Sequence, residues 1–163
     1  MTDRPKDADE IDSVLDEAVA AIEAEEYEEA LEKFIWFHDA SRGVAGLGGV
    51  RSSFALGFWI DLAARFPPAF EAFVQLRDKT EQKCRDLGGD YTSFSEVASL
   101  NLYLNQVKRT ADLFLEIARD FPEKAERLYK SAEESLIAEE MYQECAPYLD
   151  WERCLEDWTR MYK

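Results

Sequence analysis

Residues 32–43, EKFIWFHDASRG, place three aromatics and the chain's only histidine within five positions. A histidine beside a nucleophile or an orienting acid can act as a general base, and one joined by further His or Cys can hold a metal. No such companion stands at a recognisable spacing from His38. Set on a helix, Tyr27, Ala30, Leu31, Phe34, Phe37 and Ser41 share one face by i+3 and i+4 steps, with His38 at its flank. The expectation is a core face in which His38 is structural. Trp36 departs from that face. It follows Glu32 by four residues and Glu29 by seven, so it lies among the charges of Glu25, Glu28, Glu29 and Glu32. There it either packs on the next helical hairpin or anchors a partner, with the glutamates as a steering rim.

Other stretches carry less chemistry. GVAGLGGVRSS (43–53) has glycines but no Lys-Ser/Thr to reach a phosphate and no preceding strand, so it reads as a helix connector. Asp7, Asp9 and Asp12 lack the glycine and closing glutamate of a calcium loop. Cys84, Cys145 and Cys154 are an odd count without a CxxC pair, and read as free thiols of a reducing cytoplasm. No GxSxG, HExxH, kinase-type set or dinucleotide fingerprint occurs. The expectation is a chain with no catalytic site, no metal and no cofactor.

Charge narrows the partner. The 163 residues carry a net −16, with 35 acids against 19 bases. Residues 1–40 are net −11, residues 41–110 net +2 and residues 111–163 net −7. Such a field repels nucleic acid and anionic membranes and draws in basic partners. No apolar run is long enough to span a membrane, and the acidic start, MTDRPKDADE, has no apolar core of a secretory leader. The expected location is cytoplasmic.

The elements that must position these residues are helices. Segments of helical period run between breaks at Gly43–Gly49, Pro67-Pro68, Gly88-Gly89 and Pro122, and no stretch alternates with period two for long. The spacing predicts an acidic tail over 1–9 and one domain over 10–163. Its helices run over 10–24, 27–41 and 52–65, then from Pro67 to a C-cap at Gly88. A capping box, Ser93-Phe-Ser-Glu96, opens a fifth helix. Asn105-Gln106 turn into a sixth over 110–121, Pro122 starts a seventh, and Asp150 caps a last one over 151–162. The segment 52–65 is apolar nearly all round and is expected to be central and buried, with Phe58 in the core. Gly57 within it is expected to permit a close helix crossing.

Two internal echoes follow. FWIDLAARFPPAFEAF (58–73) is matched by FLEIARDFPEKAERLY (114–129), with their Phe-Pro pairs at an offset of 55, and IEAEEYEEALEKF (22–34) by IAEEMYQECAPYL (137–149) at an offset of 115. Units recurring in this way imply stacked antiparallel helical hairpins, about eight helices in an all-α fold. Tyr27, Ala30, Leu31 and Phe34 resemble the second helix of a tetratricopeptide repeat. Ala111, Leu115 and Ala118 before Pro122 match the same pattern, and Glu140–Tyr148 matches it loosely. The stretch 49–73 is similar to a group of small bacterial helical-repeat proteins. The resemblance implies a superhelix of hairpins. It also implies a second candidate site, because such repeats hold peptide carboxylates through Asn and Lys, and Asn101, Asn105 and Lys108 stand at helical spacing.

Together these features point to a non-enzymatic module that binds a basic protein. The specific expectation is an acidic inhibitor of immunity type that neutralises a basic toxin of the same bacterium. The alternatives are an adaptor for a peptide tail and a hydrolase without a readable motif.

Overall fold

The structure, a computed structural model, describes residues 8–149. The helix expected over 151–162, its cap Asp150 and Cys154 lie outside the described residues. Among those described, the fold is all-α and built of helical hairpins, without strands. In order come α1 (Ala8–Glu23), α2 (Tyr27–Ala40), α3 (Gly48–Ser52), α4 (Phe54–Ala63), α5 (Pro67–Asp86), α6 (Tyr91–Tyr103), α7 (Val107–Asp120), α8 (Pro122–Ala138) and α9 (Tyr142–Cys145). A 3₁₀ turn follows at Ala146–Tyr148. The helices divide into two compact units. One ends within α5 at Thr80 and includes Leu102–Leu104; the other comprises Glu81–Asn101 and the chain from Asn105 onward.

In the first unit, α1 and α2 form an antiparallel hairpin. Ile11, Leu15, Ala18 and Ile22 line the buried stripe of α1 at steps of three and four, and α2 answers with Ala30, Phe34 and Phe37. α4 packs against both helices. Its Trp59 is the hub of the core. The indole stacks on Phe34 at 6.0 Å, takes the edge of Phe73 at 5.6 Å and of His38 at 6.3 Å, and donates its N–H to the Ala69 carbonyl at 3.0 Å. Buried indoles need such an acceptor, and ring pairs at these separations add to plain burial.

The helix expected over 52–65 is α4, and the expected connector before it holds the short α3, separated from α4 at Ser53, where φ is −129° and ψ −81°. The expected burial of that helix nearly all round is corrected. Only one face of α4 is covered, so Ala55, Leu56, Trp59 and Leu62 are buried while Phe54 is 67% exposed and Phe58 and Ile60 are half-buried. Gly57 admits a side chain rather than a helix backbone. The Tyr103 ring lies 3.6 Å from where a Cβ would stand, and its hydroxyl donates to the Ser53 carbonyl at 2.8 Å.

In the second unit α7 and α8 form the central hairpin. Phe114 stands amid Phe94, Tyr129 and Tyr148 at 5.6–6.3 Å, with Val97, Leu113, Ile117, Leu128 and Leu136 completing the core. The expected capping box at Ser93 is replaced by Asp90. Asp90 Oδ2 accepts the Ser93 N–H at 3.0 Å, satisfying one of the open donors of α6, which begins two residues before Ser93. α7 likewise begins at Val107, three residues before the expected Thr110, because the chain turns fully at Asn105.

Four helix ends close alike. Glu25, Gly88, Asn105 and Glu140 adopt positive φ of 63°, 59°, 55° and 58°. In each case the next N–H donates to the carbonyl five residues back: Glu26 to Ala21, Gly89 to Cys84, Gln106 to Asn101 and Met141 to Leu136, at 2.8–2.9 Å. This is the Schellman closure. The left-handed conformation costs a residue with a Cβ roughly 1–2 kcal/mol, so the packed hairpins must hold Glu25 and Glu140 there. The echoes have a structural meaning. At offset 115, Glu25 and Glu140 make the same turn. At offset 55, Phe66 and Phe121 each donate back four residues, to Leu62 and Ile117, just before the proline that starts the next helix.

Candidate functional site

The α1–α2 hairpin carries the site. Glu28, Glu29, Glu32, Lys33 and Trp36 follow one another on α2 at steps that keep them on one face, and α1 brings Val14 and Glu17, three residues apart, against them. These seven residues line an open depression of about 650 Å³. Trp36 is half-buried within it, and Glu28, Glu29 and Glu32 are exposed. Lys33 ties the helices together, with Nζ 2.7 Å from Glu17 and 3.3 Å from Glu29. The Glu17 hydrogen bond is the largest cause holding its ammonium pKa above the ordinary lysine value. An exposed pair of this kind contributes about 0–1 kcal/mol, so its effect is mainly on geometry. Glu28 and Glu32 have no cation within the described residues to neutralise them. The result is an aromatic floor under unneutralised carboxylates, a setting for a lysine or arginine side chain.

Of the sequence-predicted residues, the structure brings together Trp36, Glu28, Glu29 and Glu32. Glu25 is exposed at the α1–α2 turn, outside the lining. Val14, Glu17 and Lys33 were not singled out from sequence. The i, i+3 spacing of Val14 and Glu17 marks a helix face, but which α2 residues oppose it depends on the hairpin's register.

Asn101, Asn105 and Lys108 do not converge. Asn101 is fully buried and its amide donates to the Thr110 hydroxyl at 3.1 Å, out of a partner's reach. Asn105 is exposed and provides the positive-φ turn that ends α6. Lys108, exposed in the first turn of α7, pairs with Asp112 at 2.9 Å. Helical spacing aligns the three only if one helix runs through them, and the turn at Asn105 interrupts it.

His38 is 3% exposed. Arg51 donates its Nε–H to the His38 carbonyl at 2.9 Å and approaches Nδ1 with Nη2 at 3.3 Å. A guanidinium can only donate, so Nδ1 is the acceptor and the ring proton sits on Nε2. The neutral imidazole thereby ties α2 to α3. A cavity of about 220 Å³ beside it is lined by Ile35, Asp39, Trp59, Ala72, Gln75, Leu76 and Lys79, none of which is a hydroxyl or thiol nucleophile. His38→Gln keeps an acceptor for Arg51 and is expected to lower stability by only about 1 kcal/mol in urea denaturation. A loss of partner binding in that variant, still fully folded, would return His38 to the functional candidates.

Cys84 and Cys145 are buried free thiols. Burial, with the Asp90 charge second, pushes Cys84 up to about 12, so it is no thiolate at neutral pH. Among the described residues no group of three His, Cys, Asp or Glu is arranged to hold a metal, and no helix is long and apolar enough to cross a membrane.

Fold and geometry thus describe an all-helical hairpin protein with an acidic, aromatic-floored depression on its first hairpin. Compared with protein-family models, with curated proteins and with solved structures, the chain matches none.

Proposed function

We propose that the chain is a protein-binding module whose α1–α2 depression captures a basic partner. In its specific form it is a cytoplasmic inhibitor of immunity type, neutralising a basic toxin of the same bacterium. The observation that carries the reading is the grouping of Trp36 with Glu17, Glu28, Glu29 and Glu32 around one open depression. The net charge of −16 supports it, since an inhibitor that must arrive first gains from electrostatic steering. The recurrent hairpin turns support a kinship with degenerate tetratricopeptide-like repeats, used here through a helix face and not through an Asn/Lys clamp.

The test is affinity capture from the native host with the parent and Trp36→Ala proteins, followed by affinity measurement on the captured protein. The expected partner is basic, and Trp36→Ala weakens it by about 30-fold or more, as for a central aromatic anchor. A partner held equally well by Trp36→Ala would move the site elsewhere.

A further inference from the structure

The second unit carries a surface of different chemistry. Leu87, Tyr91 and Phe121 are 52%, 38% and 38% exposed. Lys124 Nζ donates to the Leu87 and Gly88 carbonyls and lies 4.9 Å from the Phe121 ring centre, which joins the start of α8 to the end of α5. One turn further along α8, the Arg127 guanidinium lies over Tyr91 at 5.1 Å. Lys83, one turn before Leu87, is exposed on the same face of α5.

The placement of Arg127 carries the argument. Glu123 stands four residues before it on α8, the favoured order for a helical ion pair. Yet Arg127 makes no ion pair with Glu123 or any other described carboxylate, in a chain where acids outnumber bases 35 to 19. It lies over an exposed ring instead. A cation–π contact does not use up the N–H donors of a guanidinium, whose fork takes a carboxylate through two parallel hydrogen bonds. Lys124, by contrast, is already engaged with backbone carbonyls and fixes the platform.

We infer that Leu87, Tyr91, Phe121 and Arg127 form a docking surface for an acidic peptide segment, one carboxylate meeting the Arg127 edge and an adjacent apolar side chain resting on the exposed rings. Charge complementarity selects this occupant. The surface offers a single fork-shaped cation beside apolar area, which matches a carboxylate flanked by Leu or Phe better than a densely charged polyanion. It is independent of the Trp36 depression, whose partner has the opposite sign.

The test selects short random peptides on the full-length protein and measures binding of those enriched. Enriched peptides should carry Asp or Glu beside Leu or Phe, and shift the amide signals of Tyr91 and Arg127 on titration. Replacing their acids by Asn and Gln, or the protein's Arg127→Glu, should weaken binding by about tenfold or more, with Arg127→Lys between. Arg127 is exposed, so an unchanged melting curve will confirm the fold of these variants. Trp36→Ala should bind the same peptides undiminished, which separates this surface from the one under Proposed function. Failure to enrich acidic peptides, undiminished binding to Arg127→Glu, or binding of phosphatidylserine vesicles in place of peptides would each overturn the inference.

Discussion

Truncating Phe34 to alanine is expected to lower stability by about 3–5 kcal/mol, whereas Phe58→Ala lowers it by roughly 1–2 kcal/mol. Phe34 is 1% exposed and stacked on Trp59, so its removal opens a cavity between α2 and α4 that the surrounding rings cannot close. Phe58 is half-buried and lines an open depression of about 420 Å³ with Val19, Ile22 and Arg65, where solvent already reaches its ring. Urea denaturation of both variants gives the comparison directly. Equal losses would mean that α4 buries its Phe58 face as fully as its Trp59 face.

Gly89→Ala is the second large effect. Gly89 has φ +80°, and an added Cβ would stand 2.4 Å from Cγ2 of Ile117. Ile117 is 3% exposed within the packed core of the second unit and cannot swing aside into solvent. Backbone strain and overpacking together should lower stability by about 2–4 kcal/mol. Gly49→Ala is the control. Gly49 lies in α3 without a positive φ, and nothing stands within 4 Å of its would-be Cβ, so alanine should be neutral or stabilising by about 0.5–1 kcal/mol. A Gly89→Ala loss below about 1 kcal/mol would show that the Gly89–Ile117 approach is looser than the structure has it.

These cases mark what a sequence can and cannot tell. The all-α class, the breaks at Pro67, Gly88 and Pro122, and the buried face of α2 were legible because periodicity and chain-breaking residues act locally. So were the echoes, which preserve turn geometry. The short α3 was not legible, since its Gly48 and Gly49 read as a connector and five residues carry too little helical period to register. Asp90 was overlooked as the cap because Ser93-Phe-Ser-Glu96 offers a fuller local match three residues later. At the site, the Glu28–Trp36 face followed from spacing on one helix. Its opposite wall, Val14 and Glu17, and the bridging Lys33 depend on how α1 and α2 are registered, which no single helix records. Asn101 looked available because its spacing was read through a turn that the left-handed Asn105 creates.

The central claim is that a basic partner is drawn by charge into the Trp36 depression. The most direct measurement is the association rate of the captured partner as ionic strength rises from low salt to physiological salt, where the screening length is about 8 Å. The predicted result is a steep fall in on-rate, and a shallower one when Glu28 and Glu32 are both changed to Gln. An acidic partner, or an on-rate that ignores salt, would contradict it.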